Sequence, residues 1–156
     1  LIDLIVSLLA GPDTVSLFRP SPACVDPDIN NNGLAVLDYP HATVTLCSCG
    51  FAVDGISRRR LTVCGTKGTF DLCPLEIYDG RPLQATLVLA KGNDRYAAGT
   101  HSLDFEPMTD RYQPQLLELA RIINGEMDNP YTFEHDYLVH EVVLAASGCT
   151  TWNRGK

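Results

Sequence analysis

The residues that could do chemistry in this chain form short, separate groups, and His140-Glu141 is the first of them. In zinc metalloproteases a His-Glu pair is followed one helical turn later by a second His, but Leu144 stands at that position. Asp136 lies one turn before His140, so we expect the two side chains to pair, with the carboxylate orienting the imidazole. The pattern favours a pair on the helix surface over a catalytic dyad.

Cysteine is the other residue type here that could bind a metal or react. Cys47 and Cys49 share one face of a predicted strand, but two further ligands at zinc-like spacing are absent, and we predict no metal site. The six cysteines could form three disulfides. Most of the central ones lie in apolar, strand-like stretches, and the chain has no Asn-x-Ser/Thr acceptor that would indicate secretion. We therefore predict buried free thiols.

Gly65-Thr66-Lys67-Gly68 has the glycines and lysine of a phosphate-binding loop without its context. A P-loop leads from a strand into a helix, whereas this segment lies between two strand-like stretches, so the two glycines predict a hairpin turn. The chain also contains no Gly-x-Gly-x-x-Gly fingerprint for a dinucleotide pyrophosphate. If the protein uses NAD, we expect the dinucleotide to bind outside this chain.

Basic and aromatic residues supply the candidate substrate contacts. On a strand, Arg58 and Arg60 would share a face, which is typical of a solvated edge; contact with an anion or an acidic substrate is the alternative. Arg111 and Tyr112 lie where a long loop enters a predicted helix, and His101 lies inside that loop. We name Tyr112, Arg111 and His101 as candidate substrate-binding residues, with a structural role as the alternative for each.

Length and composition limit the class of protein. The 156 residues, 45% hydrophobic and 20% charged, fit one domain spanning 1–156. A net charge of −7 argues against binding to a phosphate backbone, so we expect no nucleic-acid partner. The apolar stretch at the start is about ten residues, too short to cross a bilayer and without the flanks of a signal peptide. We predict a cytoplasmic protein with no membrane partner.

The elements that must position these groups follow from hydrophobic periodicity. A helix over 1–10 ends at Gly11-Pro12, with Gly11 in the left-handed position; it has no N-cap and no preceding Met, so we expect a fragment of a longer protein. A loop is predicted over 20–32 and a long loop over 91–107. Period-two alternation predicts strands over 14–19, 33–39, 42–49, 61–64, 69–73 and 85–90.

The last third of the chain changes to helical periodicity. A helix over about 112–124 has an apolar face and ends at Gly125; a second is capped by Thr132 and ends at Gly148. The inner face of the second carries Leu138, Val142 and Ala145. This order predicts an α+β fold, an open and mainly antiparallel sheet with helices packed on one face.

Four segments, in order, resemble the C-terminal domain of the Gfo/Idh/MocA oxidoreductases, the family of glucose-fructose oxidoreductase and inositol dehydrogenase. The similarity spans nearly the whole chain, and the Gly-Thr-x-Gly turn after an apolar strand is its most specific part. The segments are the first helix with Gly11-Pro12, residues 61–70, Tyr112 to Gly125, and residues 136–147.

The resemblance implies a two-domain enzyme with an N-terminal Rossmann domain, absent from this chain, that binds NAD or NADP. This domain would then form part of the substrate site and much of the subunit interface, giving a homo-oligomer through the sheet face. The family's catalytic Lys belongs to the Rossmann half, and its catalytic Asp and His precede the position matched by Leu1. We therefore expect no catalytic or cofactor-binding residue here, while Tyr112 aligns with a substrate-contacting Tyr of some members.

The predicted function is accordingly to supply part of the substrate site and of the subunit interface in an enzyme that transfers a hydride between a nicotinamide and a hydroxyl-bearing carbon. The substrate would be a sugar, cyclitol or related small molecule, and the isolated chain would be inactive. A non-catalytic dimerisation or scaffold domain of a pseudo-oxidoreductase is the alternative, because the face formed by Thr43, Thr45, Cys47 and Cys49 is uncharged enough to pair with an identical face. An independent ligand-binding module is a third possibility.

Overall fold

The computed structural model of the protein describes residues 1–18 and 32–153. Their elements, in chain order, are α1 (Ile2–Leu9), β1 (Thr14–Phe18), β2 (Asn32–Tyr39), β3 (Ala42–Cys49), α2 (Gly55–Arg58), β4 (Leu61–Gly65), β5 (Gly68–Leu72), β6 (Gln84–Leu89), β7 (Gly99–Asp104), α3 (Gln113–Ile123) and α4 (Phe133–Ala146). Nearly all of the loop predicted over 20–32 lies outside the described residues, and so does Cys24.

The fold class is the predicted one, α+β with antiparallel strands, but the strands form two sheets where the sequence predicted one. Within the described residues, one sheet has three strands in the order β1-β2-β3 and the other has four in the order β4-β5-β6-β7. The chain also divides into two compact units, Leu1–Ala52 with Asp128–Lys156, and Val53–Met127. One functional domain over 1–156 stays a prediction.

The first unit consists of the three-stranded sheet with α1 and α4 packed on one of its faces. Antiparallel pairing places Leu37 opposite both Val15 and Val44, so these side chains share the face toward the helices. Leu37 and Val142 are fully buried, and around them lie Ile5, Val6 and Tyr39. The indole of Trp152 donates to the Pro12 carbonyl at 3.1 Å, which fixes the segment after α4 to the segment after α1.

The end of α1 differs from the prediction in one detail. The residue with positive φ is Ala10, at 61°, whereas Gly11 has no such conformation. A Cβ at Gly11 would lie 3.1 Å from Cδ1 of Leu138, so glycine allows the Leu138 side chain of α4 to approach closely. The helix ends where predicted, but the glycine serves packing instead of the left-handed turn.

The second unit contains the four-stranded sheet and α3. The Gly65–Gly68 segment is the predicted hairpin turn, with Gly65 paired to Gly68 in the β4–β5 ladder. A Cβ at Gly68 would lie 2.3 Å from the Val88 carbonyl oxygen, so only glycine fits beside β6. The buried residues of this unit are Leu72, Leu83 and Ala85, and the partly buried ones packed against them are Phe70, Leu75, Ile77, Leu103 and Met108.

Both C-terminal helices agree with the sequence pattern. Pro114 lies in the first turn of α3, and Gly125, with φ 73°, follows its end. Thr132 caps α4 by accepting a hydrogen bond from the His135 N–H at 3.1 Å. No helix in the described part of the chain is both long and apolar enough to cross a membrane.

Three sequence predictions of local structure are wrong. The loop over 91–107 contains β7, so His101 lies on a strand. Arg58 ends the short helix α2, so the arginines at 58–60 do not form the predicted strand face. The five described cysteines are free, as predicted, but they are exposed instead of buried. The cysteines on β3 and β4 are exposed because their side chains face away from the apolar side of each sheet.

Candidate functional site

The start of α3 positions two of the three candidate substrate-binding residues. The Asp110 carboxylate accepts hydrogen bonds from the backbone N–H groups of Tyr112 and Gln113, at 2.7 and 2.8 Å. These donors, Gln113 first and then Tyr112, lower the pKa of Asp110 below its ordinary value because they stabilise the charged carboxylate. The turn fixes the backbone of Arg111 and Tyr112, whose side chains lie together, with the Arg111 Cζ 5.8 Å from the centre of the Tyr112 ring.

Arg111 belongs to a larger polar group that we call the Glu76 cluster, made of Arg59, Glu76, Tyr78 and Arg111. Nη2 of Arg111 lies 3.8 Å from Oε2 of Glu76. Arg59 forms an ion pair with Oε1 of the same carboxylate, and the Tyr78 hydroxyl donates to its Oε2. The Glu76 side chain is 15% exposed, whereas those of Arg59 and Arg111 are 48% and 52% exposed. A largely buried carboxylate thus supports two arginines that reach water.

Backbone hydrogen bonds bring the three segments of this cluster together. The Leu75 N–H donates to the Arg59 carbonyl at 2.8 Å, which places the residue before Glu76 against the C-terminal end of α2. The Gly80 N–H donates to the Met108 carbonyl at 3.2 Å, which joins the segment after Tyr78 to the approach to α3. The first contact closes the segment that contains β4 and β5, and the second closes the segment that contains β6 and β7, so the cluster is a product of tertiary structure.

His101, the third candidate, has a different set of partners. Its Nε2 lies 2.9 Å from the Ala97 carbonyl oxygen, and its ring centre is 5.1 Å from that of Tyr96. On β7 it pairs with Leu87 and shares the apolar face of the sheet. The structure therefore brings Arg111 and Tyr112 together, while the contacts of His101 are those of its own turn.

Glu76, Arg59 and Tyr78 are the site residues that the sequence analysis missed. Arg59 stood inside the basic run at 58–60, but its partner could not be found from spacing, because Glu76 lies 17 positions later in a stretch without clear periodicity. Arg60 of the same run pairs with Asp71, Nε to Oδ1, at 3.1 Å. Two of the three arginines in the basic run, Arg59 and Arg60, thus form ion pairs.

An apolar hollow of about 320 Å³ lies beside the β4–β5 turn in the same unit. It is lined by the turn residues 65–69 and by the apolar residues Val63, Phe70, Leu87 and Leu89. It offers contact area but no charged group except Lys67. Among the described residues, no group of three or more His, Cys, Asp and Glu side chains is placed to hold one metal ion.

The polar residues of α4 lie on an open surface of the first unit with Phe133 and Tyr137. The predicted pairing of the Asp136 and His140 side chains is not observed. Nδ1 of His140 lies 2.8 Å from the backbone carbonyl oxygen of Asp136, not from its carboxylate. His135, which the sequence analysis did not select, contacts the Asp3 carboxylate with its Nε2 at 2.7 Å. This contact ties α4 to α1.

Comparison with known proteins adds a fold relationship. No protein-family model matches the sequence, and no curated protein matches it significantly. Solved structures of proteins named as candidate oxidoreductases do match: one from Klebsiella pneumoniae (TM-score 0.65, 21% identity), yvaA from Bacillus subtilis (0.62, 14%) and one from Yersinia pestis (0.54, 18%). They cover 93%, 97% and 96% of this chain and 43%, 48% and 46% of their own.

At these identities the similarity shows the fold alone. Nearly all of this chain has the fold of a part of those proteins, and it spans less than half of their length. The α+β fold of this chain is therefore found in proteins that are named as oxidoreductases, where it forms one part of the chain and a second part of similar size accompanies it.

Proposed function

We propose that this chain is the substrate-binding and oligomerisation domain of an NAD(P)-dependent oxidoreductase of the Gfo/Idh/MocA type, acting on a sugar, cyclitol or related hydroxy compound. The observation that carries the proposal is the extent of the fold similarity: 93% to 97% of this chain aligns with 43% to 48% of three candidate oxidoreductases. A chain that corresponds to one part of a larger enzyme fold is expected to contribute one part of its site.

The division of labour follows from what the sequence contains. It has no dinucleotide fingerprint, so NAD or NADP would bind to a Rossmann domain in the rest of a longer protein. The cofactor would accept the hydride, while an acid-base group on that other portion moves the proton of the substrate hydroxyl. The catalytic Lys, Asp and His of this scheme lie outside the chain.

Within this chain, Arg111 and Tyr112 are the best placed substrate contacts. Their side chains are exposed, and the Asp110 turn at the start of α3 holds their backbone. Guanidinium and phenol groups donate hydrogen bonds to hydroxyl oxygens, which are the groups that a polyol presents. His101 would contribute only if the substrate also reached the apolar face of β7.

The proposal is tested by assaying the longer protein and this chain side by side. Each is incubated with NAD or NADP and a panel of sugars and cyclitols, and reduced nicotinamide is followed by absorbance. Turnover by the longer protein and none by the chain is the expected result. NADH binding by the chain alone, seen by fluorescence titration, would contradict the assignment of cofactor binding to the other portion of the longer protein. Lack of turnover by the longer protein across the panel would contradict the activity.

A second candidate, the dimerisation or scaffold domain of a pseudo-oxidoreductase, is favoured by one observation. The face of the three-stranded sheet opposite the helices exposes Phe18, Thr43, Thr45, Cys47 and Cys49. Light scattering of the chain over a micromolar range tests self-association, and a strict monomer would count against this face as a sufficient interface. Self-association of a longer protein that turns over nothing would favour the scaffold.

A further inference from the structure

The Glu76 cluster carries more positive than negative charge. One carboxylate, Glu76, lies within ion-pair distance of two guanidinium groups, those of Arg59 and Arg111, so the four side chains of the cluster together carry one net positive charge. The chain as a whole has a net charge of −7, which makes an excess of positive charge at one spot unusual for its surface. Both arginine side chains are about half exposed, so this charge is accessible to a solute.

Two other arginines of the same unit show the contrast. Arg60 binds Asp71 with two nitrogens, Nε at 3.1 Å and Nη2 at 3.3 Å. Arg81 binds Asp79 with Nε at 2.9 Å and Nη2 at 2.6 Å. Each of these two arginines binds one carboxylate with two nitrogens of its planar guanidinium group. The hydrogen bonds from Arg81 lower the pKa of Asp79, and Asp79 in turn raises the pKa of Arg81, as expected for a matched pair.

Arg111 is held differently. The 3.8 Å between its Nη2 and Oε2 of Glu76 is too long for a hydrogen bond, so Glu76 attracts the guanidinium without occupying its donors. The Tyr112 ring near its Cζ further limits where the group can go. An arginine that is restrained in place, half exposed and not hydrogen-bonded to its counter-ion is arranged to receive a second anion.

We propose that Arg111, with Arg59 beside it, binds an oxyanion group, a carboxylate or a phosphate, on the small molecule that this domain holds. Arginine is suited to this task because its fork matches the two oxygens of either group. Glu76 acts as a positioning residue, and Tyr78 fixes it by donating to Oε2. The inference rests on the proposed function only in taking the ligand to be a hydroxy compound; the anion site belongs to this chain.

The experiment titrates the 156-residue chain with six probes at constant ionic strength: inorganic phosphate, acetate, chloride, glucose, glucuronate and glucose 6-phosphate. Binding is followed on the side-chain Nε–H resonances of the arginines and by calorimetry. We expect saturable shifts of the Arg111 resonance with oxyanions and not with chloride or glucose. Acetate and glucuronate report the carboxylate, and the two phosphate compounds report the phosphate.

Variants make the result specific. Because hydrogen bonds between charged groups are worth about a factor of ten or more in affinity, Arg111→Gln is expected to weaken oxyanion binding about tenfold. Arg81→Gln is the matched control, since Arg81 is an exposed arginine with its own carboxylate, and it should leave binding unchanged. Arg111→Lys keeps the charge without the fork and should recover only part of the affinity. Circular dichroism of each variant verifies folding.

Three results would overturn the site: no saturable shift with any oxyanion, equal shifts at Arg81 and Arg111, or unchanged oxyanion affinity in Arg111→Gln. The outcome is separable from that of the proposed function because no nicotinamide enters the titration. Oxyanion binding by a chain whose longer protein has no dehydrogenase activity would keep the site and contradict the function. Activity on neutral polyols without oxyanion binding would contradict the site alone.

Discussion

The two sheets of this protein bury their apolar faces to very different degrees. In the three-stranded sheet, α1 and α4 cover one face and leave Leu37 and Val142 without contact to water. In the four-stranded sheet only the end near Leu72 and Ala85 is covered, by the segments that carry Leu83 and Met108. Its other end, around Val63 and the hairpin turn, remains open.

The difference separates the stabilising part of the molecule from the part with accessible chemistry. Burial of apolar surface is the main source of folding free energy, so the first unit has the features of a stable framework. The second unit combines an open apolar hollow with the half-exposed arginines of the Glu76 cluster, and α3 has no buried residue at all. Apolar concave surfaces with a few convergent polar groups are where small ligands usually bind.

The largest effect that would test this comparison is expected from Leu37→Ala. Leu37 is fully buried, so the loss of its side chain should lower the free energy of unfolding by roughly 2 to 5 kcal/mol. Urea denaturation followed by Trp152 fluorescence measures it, because Trp152 packs against this core and is the single tryptophan of the chain.

The same substitution in the other sheet is the matched control. Leu72 is 9% exposed, and its surroundings are partly open, so Leu72→Ala should cost less than Leu37→Ala when both are measured by hydrogen exchange of their own strands. An equal or larger loss at Leu72 would show that the contrast between the two cores has been misjudged.

A smaller effect is expected from Gly68→Ala in the hairpin. The added Cβ would lie 2.3 Å from the Val88 carbonyl oxygen, so β5 and β6 must separate locally. Overpacking of this kind costs roughly 1 to 3 kcal/mol. Faster hydrogen exchange of the β5 and β6 amides is the measurement.

Gly65→Ala provides the control for that variant, because its Cβ would have only the Gly68 carbonyl oxygen in range, at 3.6 Å. It should leave exchange in β5 and β6 nearly unchanged. Equal protection in the two variants would mean that the close approach of β6 does not constrain position 68.

The comparison also explains which features the sequence could reveal. The hairpin was predictable because Gly65 and Gly68 are a local signal, and α4 because Thr132 and the spacing of Val142 and Ala145 are local too. The division into two sheets was not, since pairing between strands is decided by tertiary contacts. The strand that contains His101 was hidden because Gly-, Asn- and Asp-rich residues before it resemble a continuous loop.

The site was less predictable than the fold for the same reason. Arg111 and Tyr112 were found because they stand at a helix start, which is a local feature. Glu76 joins them only through contacts between distant segments, such as Gly80 with Met108. A cluster built from three loops has no periodicity in the sequence, so no pattern of spacing could indicate it.

A still smaller effect is expected at the cap of α4, the helix that completes the better buried core. Thr132→Ala removes the acceptor for the His135 N–H, and loss of such a cap costs about 1 kcal/mol. Thr132→Ser keeps the hydroxyl and should restore most of the stability. The urea transition of Trp152 again measures both, and identical midpoints for Thr132→Ala and the unchanged protein would rule out a role of this cap in the core.

The smallest effect concerns the turn that holds Arg111 and Tyr112, where the second unit relies on hydrogen bonds instead of burial. Two backbone N–H groups lower the pKa of Asp110, so the folded carboxylate keeps its charge below the ordinary Asp value of about 3.9. A lowered pKa in the folded state means that this contribution to stability is present above the ordinary value and is lost as pH falls through the folded pKa.

The amide resonances of Tyr112 and Gln113, followed from pH 6 downward, should therefore titrate with a midpoint below that of a peptide spanning 107–113. In Asp110→Asn this titration should vanish while the rest of the spectrum is retained. A midpoint equal to that of the peptide would mean that the carboxylate does not hold the start of α3, and the placement of Arg111 would then depend on Glu76 alone.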